Sequence, residues 1–325
     1  MKVIDLINSS KSTAFSFEIL PPLKGNSIQK VYNVIDKLIE FDPKYINITS
    51  HHSEYIYKTL PDGSFQKVNI RKRPGSVAIA SAIQNKYGIT AVPHIICKGF
   101  TKDETEYALI DLNFLGVYDL LLLRGDVKTL EAGQKTDIYH EHATDLQQQV
   151  NDFNKGIAID GSVFEANETP FSYGMACYPE KHEEAPNMES DIFYLKEKVK
   201  NGADYLVTQM FFDNNIYYRF LYKALAKGID VPVTAGIMPV TNVAQVKRTI
   251  SLTGNLVPAK FLSIVDRFGD NPAAMKQAGI AYATEQIIDL IANGVNHIHI
   301  YSMNKPDVAA AIMNNLSQIY VREQA

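Results

Sequence analysis

Apolar residues along the chain fall into short runs rich in β-branched and aromatic side chains. Between the runs they recur every three or four positions. The runs are AFSFEIL, YINITS, ITAVPHIIC, YDLLLLRGD, FSYGMACYP, DYLVTQMFF, VPVTAGIMP and HIHIYSM. Runs of this length and composition predict strands, and the three-to-four spacing predicts helices. The first strand follows a short N-terminal helix. SIQKVYNVIDKLIEF, residues 74–87, TKDETEYALIDLNFLG, residues 139–156 and ESDIFYLKEKVKNGA read as the helices of the first half. The fourth of these strand-to-strand segments opens on a polar loop, and TKDETEYALIDLNFLG carries a Thr cap followed by early acids. NNIYYRFLYKALAKG, TNVAQVKRTISLTG, an extra insert VPAKFLSIVDRF, residues 272–293 and residues 306–320 are the helices of the second half. HHSEYIYKTLPDGSF, after the second strand, reads as a loop.

Strands that alternate with helices pair in parallel through right-handed crossovers. Eight such units in 325 residues fit a (β/α)8 TIM barrel, an α/β fold, better than the competing open doubly wound sheet. The near-continuous apolar character of the fourth and sixth strands agrees, because barrel strands are buried on both faces. No linker or low-complexity tract divides the chain, so residues 1–325 read as one catalytic domain with an extra helix before the last helix–strand unit.

Composition narrows the function. A hydrophobic fraction of 46% with 21% charged residues is that of a globular protein with a substantial core. The net charge of -4 lacks the basic bias that nucleic acid or an anionic membrane surface selects. No apolar run approaches the roughly 18 residues that span a bilayer. MKVIDLINSSKST has neither the apolar core nor the cleavage site of a secretory signal. Cys97 and Cys177 are the two cysteines, both in apolar runs, which suits free thiols in a reducing cytoplasm. A homo-oligomer is compatible with all of this.

In such barrels chemistry gathers at the C-terminal strand ends. Polar residues here gather there too: Glu18; Thr49, Ser50, His51 and His52; His94; Arg124 and Asp126; Tyr178, Glu180 and His182; Gln209; Asn304 and Lys305. Side chains alternate along a strand, so Phe15, Phe17 and Ile19 share one face while Ser16 and Glu18 share the other. The apolar set meets the helices, which turns Glu18 inward. A carboxyl in a largely apolar cleft can hold its proton near neutral pH, which suits a general acid. The alternative is a structural ion pair, with Arg124 as a candidate partner. Asp126 is open between chemistry and helix capping. A metal is not expected: His297 and His299 share a face of the last strand, but His297 starts that strand and the EKHEE loop is no zinc motif. No Walker or G-x-G-x-x-G sequence is present. An aldolase-like or metal-assisted lyase is the other enzymatic reading, and it lacks a lysine inside any strand of the barrel. A non-catalytic flavin- or folate-binding protein is the non-enzymatic one.

Taken in order, FSFEILPP, VPHIIC, LLLLRGD, MACYPEKHEEA, DIFYLKEKVKNGADYLVTQMFFD, AGIMPVTN and HIHIYSMNK resemble the blocks of the methylenetetrahydrofolate reductases. The resemblance covers Phe15 to Lys305 and matches the bacterial, barrel-only form. It implies FAD as cofactor, NADH or NADPH as reductant and 5,10-methylenetetrahydrofolate as substrate, converted to 5-methyltetrahydrofolate for methionine synthesis. On the resemblance Glu18 is the catalytic acid and Asp126 the acid beside the flavin and the pterin. Gln209, Gln245 and Lys305 join them on the substrate.

The FAD positions implied are Thr49, Ser50, His52, His94, Arg124, Gly125, Asp126, His142, Ala143, Tyr178, His182, Asp191, Tyr194 and Lys198. Asp191, Tyr194 and Lys198 stand three and four apart, as one gripping helix face requires. The chain departs from the family pattern at Ser50, His51 and His52, where V-T-Y-G-A is usual. It departs again at His142, often tyrosine, at Thr249, often aromatic, and at Lys305, often arginine.

Overall fold

The computed structural model describes residues 1–51, 54–125, 138–253 and 256–319. Its elements in chain order begin with α1 (Val3–Ser9), β1 (Ala14–Ile19), α2 (Gln29–Leu38) and β2 (Tyr45–Ile48). Next come β3 (Glu54–Thr59), β4 (Phe65–Ile70), α3 (Ser76–Tyr87), β5 (Thr90–Ile96), α4 (Lys102–Phe114) and β6 (Asp119–Leu123). They continue with α5 (Ala143–Asn154), β7 (Ser172–Cys177), α6 (Met188–Lys200), β8 (Tyr205–Thr208), α7 (Asn214–Ala226) and β9 (Val233–Ile237). The chain closes with α8 (Val243–Thr253), α9 (Ala259–Phe268), α10 (Pro272–Ala292), β10 (His297–Tyr301) and α11 (Pro306–Asn315). Eight strands form a closed barrel in the order β1-β10-β9-β8-β7-β6-β5-β2, the (β/α)8 class the alternation predicts.

One reading is corrected. The segment after β2 taken as a loop holds an antiparallel hairpin, β3 with β4, in the register Ile56↔Val68 and Thr59↔Phe65. Asp62 Oδ1 accepts from the Ser64 amide at 2.9 Å, and the Leu60 amide reaches Ser64 O at 2.8 Å. An Asp-Gly pair closing a strand reversal is turn chemistry with a mechanism. The hairpin escapes a burial-based reading because its large residues are exposed, Tyr57 by 58% and Phe65 by 71%.

The chain divides into two compact units, each described by itself. The first comprises Met1–Ile19, Asn33–Ile46 and Ser172–Ala325; the second comprises Leu20–Tyr32 and Asn47–Phe171. In the first, β1 pairs in parallel with β10, Ser16 opposite His299 and Glu18 opposite Tyr301. β10 pairs onward with β9, His299 opposite Gly236. That glycine is required by its surroundings: a Cβ there would lie 2.5 Å from Thr208 O and 2.7 Å from the Tyr301 hydroxyl. Phe212, Val240, Val246, Phe261 and Met275 form an apolar cluster that seats α8, α9 and α10, which accounts for the extra helical insert. In the second unit β5 pairs with β6, His94 opposite Leu121, and α3 starts where Ser76 Oγ bonds His94 O at 3.2 Å.

Candidate active site

The residues singled out by sequence divide between the two units. In the first unit the central group is Glu18, late in β1, with its side chain 13% exposed. Its carboxylate Oε2 stands 4.0 Å from His299 Nε2. His299 is fully buried, and its Nδ1 lies 2.8 Å from Ser16 Oγ. Ser302 Oγ donates to the main-chain oxygen of Glu18, so the strand bearing the acid is pinned to the end of β10. Tyr301 packs edge-on against His299 at 5.0 Å and donates to Thr208 O at 2.6 Å. Burial first, then the Glu18 charge, hold the Tyr301 phenol well above its usual pKa, so it stays a proton-bearing donor. Parity alone predicted that Ser16 and Glu18 share a face. The side chain that faces the Glu18 carboxyl is this histidine.

Gln209 and Gln245 arrive with their amides oriented. Gln209 Oε1 accepts from the Met210 amide at 2.9 Å. Gln245 Oε1 accepts from Thr241 N at 2.9 Å, Thr241 Oγ1 at 3.0 Å and Asn242 Nδ2 at 3.0 Å. A main-chain N–H only donates, so in both residues the oxygen is identified and the NH2 group is the end left to face a ligand. Lys305 Nζ donates to Thr241 Oγ1 at 3.1 Å, which chains the ammonium to Gln245 through one hydroxyl.

The loop after β7 carries Tyr178 and His182, whose rings meet edge-on at 4.7 Å. The Glu184 amide donates to His182 Nδ1 at 3.1 Å, which leaves the ring hydrogen on Nε2. Asp191 Oδ2 accepts from the His182 main-chain N–H at 2.9 Å, and Lys198 Nζ donates to Ala176 O at 3.0 Å. The gripping face expected of α6 is therefore partly a bracing face: Asp191 and Lys198 hold the loop and β7, while Tyr194 is 58% exposed. Glu180, in the same loop, accepts from Leu256 N at 2.8 Å, and burial raises its pKa.

In the second unit Thr49 Oγ1 lies 3.2 Å from His51 Nε2, Ser50 is half-buried and His94 is buried in β5. Gly125 has φ +85, in the left-handed region that glycine adopts without strain, and a Cβ would press on Ile96 at 3.3 Å. Arg124 Nε donates to Glu141 O at 3.3 Å, drawing the end of β6 to the start of α5. There Asp145 Oδ2 accepts from His142 N at 2.8 Å, and Ala143 is the first helical residue. Lys98, whose amide bonds Arg124 O at 3.1 Å, joins this group; sequence alone offers it only as a Schiff-base lysine lying beyond a strand end. Burial, and next the Arg124 charge, lower its pKa. Two adjacent cations and a helix N-terminus form a setting for an anionic group such as a cofactor phosphate. His52 and Asp126 lie outside the described residues.

Sequence alone carries no sign of Tyr301 or Thr241, names Ser16 only as sharing the face of Glu18, and offers His299 only as a metal ligand. The available signal was parity, which put Ser16 beside Glu18; the partner strand was not readable. Among the described residues no helix is long and apolar enough to cross a membrane.

A shielded acid on β1, oriented amides and a cationic helix start, carried on a (β/α)8 scaffold, are the furnishings of an enzyme of that fold class. A family profile described as methylenetetrahydrofolate reductase matches residues 2–317, and the chain belongs to that family, which makes it an oxidoreductase of one-carbon folate chemistry. It is 29% identical to the 5,10-methylenetetrahydrofolate reductase of Escherichia coli K12, over 93% of this chain and 90% of the relative. Against the enzyme of that name from Pectobacterium carotovorum identity is 28%, covering 93% and 89%. Methylenetetrahydrofolate reductase (NADH) 1 of Arabidopsis thaliana is 28% identical over 98% of this chain, which spans 51% of that longer protein. A Clostridium thermocellum protein described as binding two copies of 5-methyl-5,6,7,8-tetrahydrofolic acid shares the fold, with a TM-score of 0.52, 14% identity and coverage of 97% and 99%.

Proposed function

We propose that the protein reduces 5,10-methylenetetrahydrofolate to 5-methyltetrahydrofolate with NADH or NADPH, by alternating half-reactions through FAD, and so feeds methionine synthesis. Residues 1–325 would act as one catalytic domain, in a cytoplasm reducing enough to keep the buried Cys97 and Cys177 as thiols. FAD, when bound, supplies a hydride acceptor for nicotinamide and a hydride donor for the folate. The residues present fit such a group. Arg124 and Lys98 offer charge for its phosphates, the start of α5 offers main-chain N–H groups, and His182 offers an Nε2–H. Thr49, Ser50, His94, Gly125, His142, Ala143, Tyr178, Asp191, Tyr194 and Lys198 are the further candidates, with His52 and Asp126 carried on the resemblance.

The single observation that carries the acid assignment is Glu18, a largely shielded carboxyl on the face of β1 that also carries Ser16, facing His299. Its proton goes to N10 of the folate, the N10–methylene bond breaks, and the nitrogen lone pair at N5 forms the iminium. Hydride addition then makes the N5-methyl group, and Glu18 is left as a carboxylate that must regain a proton. Gln209 and Gln245 present N–H donors to acceptor atoms of the substrate, and Lys305 offers a cation to its acidic end. Asp126, a carboxylate near the flavin on this reading, disfavours the anionic reduced cofactor and strengthens it as a donor.

The test is optical. Protein reconstituted with FAD should absorb near about 450 nm, as oxidised flavins do, bleach with NADH or NADPH and recover colour with 5,10-methylenetetrahydrofolate. A protein that stays colourless after reconstitution, or whose colour survives both nucleotides, overturns the reading.

A further inference from the structure

We propose that His299, fixed by Ser16, is the positioning residue that aims Glu18 and steadies the carboxylate left after proton delivery; this rests on the functional reading above. The imidazole is wholly buried and held on two sides, by Ser16 Oγ at 2.8 Å and by the Tyr301 ring at 5.0 Å. With the Ser16 hydroxyl donating to Nδ1, a neutral ring carries its hydrogen on Nε2, the atom that faces Glu18 Oε2 at 4.0 Å. The backbone on both sides is fixed, Ser16 opposite His299 in the β1–β10 register and Glu18 O tied to Ser302. Closing the remaining gap therefore falls to rotation of the Glu18 side chain.

Such an N–H bonds more strongly to a carboxylate than to a carboxyl. The contact therefore grows as Glu18 gives up its proton, an interaction biased toward the transition state rather than the bound ground state. The Tyr301 phenol does not compete, because its proton is committed to Thr208 O at 2.6 Å. Gly236, opposite His299 on β9, leaves the space in which that commitment is made.

The two half-reactions, followed separately by stopped flow on FAD-loaded protein, test the assignment. His299→Gln should slow hydride transfer to folate by about 10- to 100-fold, within the range for impaired acid catalysis, with KM for folate little changed. Ser16→Ala should slow it by a smaller factor of roughly 3 to 10, the worth of about one hydrogen bond. Flavin reduction by nicotinamide should stay within about two-fold in both, an asymmetry that a general loss of structure would not produce. The double variant Glu18→Gln/His299→Gln should be no slower than Glu18→Gln alone, because residues acting as a unit are not additive. If His299→Gln does not fold, Ser16→Ala carries the test. An unchanged folate step in the folded variants, or a double variant slowed by the product of the single effects, overturns the assignment. A wild-type protein that never passes hydride to folate takes down the functional reading and this assignment with it.

Discussion

Two parts of the molecule hold their functional residues in different ways. At the β1–β10 seam the contacts run between side chains, Ser16 to His299 and His299 toward Glu18, from strands 283 residues apart in sequence. At the β6–α5 junction of the second unit the contacts run to main chain: Arg124 to Glu141 O, Asp145 to His142 N and Lys98 N to Arg124 O. The seam places one acidic group with respect to one imidazole, so each side chain in it matters by identity. The junction presents charge and N–H groups, so what matters is the path of the backbone. His142 shows the contrast. Its bond to the Asp145 carboxylate is made by its own amide.

The contrast can be pressed from both sides. The largest effect belongs to the seam: Glu18→Gln should cut the folate half-reaction by about 10²-fold or more, the scale of a lost general acid, while nicotinamide still reduces the flavin. Equal losses in both steps would make Glu18 a structural residue and erase the distinction. At the junction, Gly125→Ala should cost about 1–2 kcal/mol through left-handed strain, read as a lower urea midpoint at unchanged slope. A midpoint at the wild-type value would show that the backbone path there is not constrained.

Gln245 lies between the two cases, since its oxygen is held by both backbone and side-chain donors. Gln245→Glu keeps an acceptor for those donors but removes the outward N–H, so folate affinity should fall by about tenfold, the worth of one hydrogen bond, with the fold retained. Undiminished affinity would remove Gln245 from the substrate.

The smallest effect is on pH. Burial lowers the His140 pKa from its ordinary 6.5, with its Gln149 bond pulling the other way. The stability His140 contributes is thus complete above the unfolded value and is lost as pH falls through the depressed folded one. His140→Phe should flatten that acid limb of the stability profile. Parallel profiles for variant and wild type between neutral and mildly acidic pH would count against a role for His140.

Most of the architecture was legible because barrel strands are continuous apolar runs and their helices keep a regular period. All eight barrel strands were placed from AFSFEIL to HIHIYSM. The β3–β4 hairpin was not, because exposed Tyr57 and Phe65 give no buried face to read. In the candidate site, Glu18 was found by parity, a local property. Its contact with His299 depends on the pairing of the first strand with the last, which no local pattern encodes. Asp191 and Lys198 were placed on one helix face, but spacing does not reveal the bonds they make to the loop and strand beside them.

The pairing of β1 with β10 also has a consequence for biosynthesis. Phe15, Phe17 and Glu18 leave the ribosome 283 residues ahead of their mates Ile298, Ile300 and Tyr301. Until then one edge of β1 lacks its partner, an exposed apolar template of the kind that promotes aggregation of growing chains. Closure between such distant segments is entropically slow, so the first strand is among the last to be secured. A chain stalled or truncated before His297 would be vulnerable at β1, far in sequence from the break.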